Sequence, residues 1–225
     1  MDNTANIWDV STGQLLYKLT EHTGAVIVTS FNSTGDLLLT GSFDGTVIIW
    51  DLRLGCPVTK MLGHESEISQ ASFNWDCSLV LTGSVDGTAK VWDAKTGVCI
   101  STLTGLDEGV LDAKFNLNGS LIAACGNTAQ DEWQAIVYDG KLFEKLYSLT
   151  GHEDEISQVN FNPRGSRLLT CSADGTARLW DLQSGRENCI QVMIGHEDEI
   201  FSAAFNYNGD IILTASKDNT CRIWR

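Results

Sequence analysis

The stretch Ile200-Phe201-Ser202-Ala203-Ala204-Phe205, then Ile211 to Ser216, then Lys217-Asp218-Asn219-Thr220-Cys221-Arg222-Ile223-Trp224, decides the fold. It reads as three short strands, here called a (Ile200 to Phe205), b (Ile211 to Ser216) and c (Thr220 to Trp224). Each is a brief run of β-branched, aromatic and small apolar residues bounded by turn formers. The a–b turn is Asn206-Tyr207-Asn208-Gly209 and the b–c turn is Asp218-Asn219. Before them, Cys189 to Ile194 forms an outer strand d, followed by a Gly195-His196 loop.

The unit recurs. Trp or Tyr returns at Trp8, Trp50, Trp92, Tyr138, Trp180 and Trp224, at gaps of 42, 42, 46, 42 and 44 residues. Histidine keeps the same beat at His22, His64, His152 and His196, with Leu106 in the missing place. A period of about 40–45 residues with Gly-His and Trp-Asp landmarks is that of the WD repeat, which builds one four-stranded propeller blade per unit. Asp44-Gly45, Asp86-Gly87 and Asp174-Gly175 stand at b–c turns and are the dipeptides preferred in type I′ hairpins. Glycine ends the a–b turns at Gly35, Gly119 and Gly165 and supplies positive φ there. Cys77 takes that place in the second repeat, a local misfit.

The expected fold is therefore all-β: a WD-repeat β-propeller of four-stranded antiparallel blades in a single region spanning residues 1–225. The blades fall at about 14–51, 57–93, 98–139, 142–181 and 189–224. Residues 1–9 read as strand c of a preceding incomplete blade, because Asp2 to Trp8 matches Asp218 to Trp224. That orphan strand leads us to expect part of a larger ring. A small sheet cannot bury both faces alone, and radial stacking solves this.

In each regular repeat a histidine, serine, aspartate and tryptophan recur together. The sets are His22, Ser42, Asp44 and Trp50; His64, Ser84, Asp86 and Trp92; His152, Ser172, Asp174 and Trp180; His196, Ser216, Asp218 and Trp224. One copy would resemble a catalytic triad. Four copies along one chain read instead as structural hydrogen-bond sets. They consume all four histidines, and no glycine-rich phosphate loop opens a helix. No enzyme activity, metal or cofactor is expected. The third repeat has Leu106, Tyr138 and an insertion near Asn127 to Glu132, so it drops the polar set as a whole. Half a buried network is worse than none.

The formal charge is −14, which leaves no basic footprint for nucleic acid and disfavours anionic membrane surfaces. No apolar run approaches the length of a membrane span. Seven scattered cysteines without Cys-x-x-Cys spacing point to a reducing compartment. The loops after the histidines are acidic: Glu65 and Glu67; Asp107 and Glu108; Glu153, Asp154 and Glu155; Glu197, Asp198 and Glu199. They form either a docking arc for a basic protein partner or a solvated face. Trp75 and Tyr207 sit at a–b turn tips, as anchors for a partner or folded over a neighbouring blade. An aromatic cage for modified lysine would need several aromatics before the turn aspartates, where Phe43, Val85, Ala173 and Lys217 supply one.

Ser72-Phe73-Asn74-Trp75-Asp76-Cys77-Ser78-Leu79, Asp198-Glu199-Ile200-Phe201-Ser202 and Lys217 to Arg225 carry a closer resemblance. From about Gly41 onward the chain resembles the dynein assembly factors with WD repeat domains. That resemblance implies an eight-bladed cytosolic cargo adaptor, working at the cilium or flagellum and its base. Its partners would be outer-arm dynein and intraflagellar transport subunits. The alternative is a general WD scaffold, such as a ubiquitin-ligase substrate receptor or a signalling hub.

Overall fold

The structure, a computed structural model, describes residues 2–184 and 188–225. Among the described residues every regular element is a β-strand, and the strands sort into six antiparallel sheets in chain order. The first pairs β1 (Ala5–Trp8) with β2 (Leu15–Leu19). The second holds β3 (Val26–Phe31), β4 (Leu37–Ser42), β5 (Val47–Asp51) and β6 (Cys56–Met61). The third holds β7 (Ile68–Phe73), β8 (Leu79–Ser84), β9 (Ala89–Asp93) and β10 (Cys99–Leu103). The fourth holds β11 (Val110–Phe115), β12 (Leu121–Asn127), β13 (Trp133–Asp139) and β14 (Lys145–Thr150). The fifth holds β15 (Ile156–Phe161), β16 (Arg167–Ser172), β17 (Thr176–Asp181) and β18 (Asn188–Ile194). The last joins β19 (Ile200–Phe205), β20 (Ile212–Ser216) and β21 (Cys221–Trp224). These are the blades of a β-propeller.

The sheets do not coincide with the sequence repeats. Each outer strand d opens one repeat but pairs with strand c of the repeat before it: β6 with β5, β10 with β9, β14 with β13 and β18 with β17. Every repeat is thereby stitched into two sheets, which couples neighbours through backbone hydrogen bonds as well as through packing.

The second strand of each full sheet is buried on both faces, which is why it reads as an unbroken apolar run such as Leu37-Leu38-Leu39. One face serves the preceding sheet and the other the following sheet. Leu39, Val47, Ile49 and Met61 of the second sheet meet Ile68, Ala71, Val80 and Trp92 of the third. Four further clusters fill the other gaps between consecutive sheets.

Two turns fix the strand geometry. At the a–b turn a buried asparagine replaces missing backbone partners: Asn32 Oδ1 accepts from the N–H groups of Asp36 and Leu37, at 3.1 and 3.0 Å. Asn162 and half-buried Asn206 repeat both bonds, and Asn74 and Asn116 repeat the second, accepting from the N–H groups of Leu79 and Leu121. The b–c turns correct the sequence reading. Only the residue after the aspartate has positive φ, +74° at Gly45 and +66° at Asn219, whereas type I′ would need the aspartate there too. Gly45 N donates to Ser42 O, and Ser42 N donates to Thr46 O. The arrangement is a type I turn closed by a left-handed glycine, which leaves the aspartate free to point at the histidine loop.

Candidate functional site

Strands b and c and the loop after strand d bring one polar chain together in each regular repeat. In the third sheet the Trp92 indole N–H donates to Thr82 Oγ1 at 2.9 Å, and the Thr82 hydroxyl lies 2.7 Å from His64 Nε2. His64 Nδ1 lies 2.7 Å from Asp86 Oδ2. A neutral imidazole donating from Nδ1 to the carboxylate accepts at Nε2, so the hydroxyl donates there, and all three links run in one direction. The sets of His22, His152 and His196 repeat this arrangement through Thr40, Thr170 and Thr214.

The hub is thus a threonine that the sequence pattern did not single out. The serines do something else. Ser42, Ser84, Ser172 and Ser216 accept at Oγ from the N–H of the turn aspartate two residues on. They stand in the turn, outside the indole-to-carboxylate chain. The sequence reading placed these serines in the chain because spacing alone cannot separate two hydroxyls two residues apart on one strand.

Electrostatics follow from burial and donors. Desolvation works against ionised Asp86, yet the Thr88 hydroxyl, the Glu65 N–H and His64 outweigh it and hold the carboxyl down at about 2. In Asp44 and Asp174 donors likewise overcome desolvation, and each carboxyl falls well below its ordinary value. Burial lowers His64, with Asp86 opposing the shift. An imidazole kept neutral between two satisfied partners has neither an exposed lone pair nor a mobile proton to offer a substrate. Among the described residues, no group of three or more His, Cys, Asp or Glu is placed to hold a metal.

In the fourth sheet every polar member is replaced at once. Leu106 fills the imidazole position at 1% exposure, Ala124 stands at the threonine and Gly126 at the serine. Tyr138 replaces the indole, and its hydroxyl donates to Thr104 O at 2.9 Å. None of these four replacements leaves a buried polar side-chain atom of its own unpaired.

Above these sets lie the loops. The b–c turns abut the histidine loops of the next sheet, since a Cβ on Gly45 would meet Ser66 O at 3.0 Å and one on Gly87 would meet Leu106 O at 2.8 Å. Glu65, Asp107, Glu108, Glu153, Asp154, Glu155 and Glu197 are exposed there; Glu67, Asp198 and Glu199 are half-buried. Lys217 pairs with Glu199 at 2.9 Å and lies 3.9 Å from Asp198. Among the described residues no ion pair holds the remaining carboxylates of the arc.

The a–b turns occupy the other side. Trp75 leans over the next blade's turn, where a Cβ on Gly119 would sit 3.4 Å from the indole, yet it stays 61% exposed. Tyr207 is 95% exposed.

Comparison with known proteins agrees with this architecture. The family model "WD domain, G-beta repeat" matches residues 13–51, 55–93, 143–181 and 187–225, well over half the chain, and passes over the repeat that lost its polar set. No curated protein matched the chain. With its period, its stitched blades and its indole-to-carboxylate chains, the protein belongs to the WD-repeat family.

Proposed function

We propose that this protein is a non-enzymatic docking scaffold whose acidic loops hold a basic segment of a partner protein. More specifically, we propose that it is a cargo adaptor for delivering and assembling outer dynein arms in cilia or flagella. The observation that carries the scaffold reading is the division of labour within each blade. Histidines, hydroxyls and indoles are spent on one another inside, while carboxylates gather on one rim outside, of which only Asp198 and Glu199 have an ion-pair partner among the described residues. Complementary charge steers encounter and fixes orientation. The adaptor reading rests on the stretches Ser72 to Leu79 and Asp198 to Arg225, which resemble the dynein assembly factors. In that reading the partners are outer-arm dynein and intraflagellar transport subunits, met in the cytoplasm and at the ciliary base.

The test is to tag the protein in ciliated cells and identify what co-purifies, with and without neutralisation of Glu153, Asp154 and Glu155. Recovery of outer-arm dynein chains, reduced by the neutralised variant and by salt, supports both readings. Recovery of ubiquitin-ligase or signalling components without dynein overturns the adaptor reading and leaves the scaffold. Binding indifferent to both charge and salt overturns the role of the acidic rim.

A further inference from the structure

A groove of about 480 Å³ opens where β3, β7 and β11 lie side by side and run into their a–b turns. Its apolar lining comprises Phe31, Phe73, Trp75, Phe115 and Leu117, and Trp75 and Leu117 are respectively 61% and 72% exposed. Large exposed apolar side chains around a concavity are what an interface core needs, with aromatic anchors above all. On a chain of net charge −14 the lining includes no carboxylate, and its one charged side chain is Lys114. That ammonium has three donors. One reaches Asp112 at 3.0 Å and another reaches Asn160 Oδ1 at 2.9 Å, with the side chain still 26% exposed.

We infer that this groove docks an apolar segment of a partner protein bearing acidic flanks, on the side of the molecule opposite the acidic loops. Charge complementarity selects the occupant. A carboxylate beside Lys114 meets the third ammonium donor, whereas a basic flank finds no carboxylate in the lining and is drawn to those of the other rim. The two surfaces therefore sort partners by sign of charge, and one molecule can carry both at once. This inference rests on the scaffold reading above.

The test uses the 225-residue chain and two short fluorescent peptides, one alternating leucine and phenylalanine with glutamate, the other with lysine in place of glutamate. Fluorescence anisotropy should show the glutamate peptide binding, and W75S and L117S should each weaken it by about tenfold or more. Y207S, on the same side but outside the groove, should leave it unchanged. Both groove residues are exposed, and thermal melts would confirm that their variants stay folded. The lysine peptide should be insensitive to W75S and should not displace the glutamate peptide. Failure of the glutamate peptide to bind, equal binding to W75S and L117S, or its displacement by the lysine peptide would overturn the inference. Failure of the lysine peptide alone would count against the acidic rim as a docking surface and leave the groove standing.

Discussion

At the scale of single residues, two positions carry more than their chemistry suggests. Cys77 holds φ of +60° where Gly35, Gly119, Gly165 and Gly209 stand in the other repeats. A left-handed conformation costs a side chain about 1–2 kcal/mol, part of which glycine returns through its looser unfolded state. C77G should therefore raise stability by about 0.5–1 kcal/mol in a urea melt; a loss would mean that the Cys77 contact with Ser33 outweighs the strain. Thr82 is the second. T82V keeps the shape but strips His64 Nε2 and the Trp92 indole N–H of their common partner. Two buried polar groups left unpaired should cost about 2–4 kcal/mol, whereas T82S, which keeps the hydroxyl, should cost less. Equal losses from the two variants would show that the methyl group contributes as much as the hydroxyl. Thr82 was not legible in the sequence, because a threonine in a strand already has a sufficient reason to be there as a β-former. Histidine and tryptophan stood out because the chain has only four and seven of them and they keep the repeat's period, and aspartate because it stands before the turn glycine.

At the scale of the element, the fourth sheet shows how a blade does without the network. Leu106, Ala124 and Tyr138 occupy the places of imidazole, hydroxyl and indole and leave no orphan among them. The triple variant H64L/T82A/W92Y writes that solution into the third sheet, and its cost should be smaller than the sum of the three single variants, since each single change strands a partner. The same comparison exposes a pH dependence. His64 is held below its ordinary value, so between pH 7 and 5.5 the unfolded chain takes up a proton that the folded chain refuses, and stability falls with pH. Asp86 adds stability above its unfolded value of 3.8 that is lost as pH drops towards about 2. Melting temperature should therefore decline less between pH 7 and 5.5 in the triple variant than in the natural chain; parallel declines would place the titration elsewhere. The period was readable from the sequence because Trp50, Trp92 and Trp180 mark it directly, but the blade bounds were not, since each strand d joins the sheet of the repeat before it. The turn type was not. Asp44-Gly45 suits both a type I′ turn and a type I turn with a left-handed glycine, and only the pull of Asp44 towards His22 decides between them.

At the scale of the whole molecule, position in the stack of sheets sets what a side chain is worth. Five apolar clusters fill the gaps between six sheets, so each inner sheet is covered on both faces, and stability approximates a sum over sheets and their nearest neighbours. The division of charge is a property of the same scale, because Glu65, Glu153 and Glu197 become one surface only when their blades are stacked. The groove at Trp75 likewise needs three sheets to exist, and no window of sequence contains it. Leu81 and Leu213 hold equivalent places in strand b, yet Leu81 is 0% exposed between the third and fourth sheets while Leu213 is 44% exposed on the outward face of the last. Truncating Leu81 removes transfer energy and leaves a cavity walled by two sheets, so L81A should cost about 3–4 kcal/mol. Truncating Leu213 opens no cavity, because solvent already reaches the site, and L213A should cost less than about 1.5 kcal/mol. Urea melts of the two variants measure the difference directly. Equal losses would show that the outward face of the last sheet is covered in solution, and dilution would then tell whether that cover is a second copy of the chain, since the loss would fade as protein concentration falls.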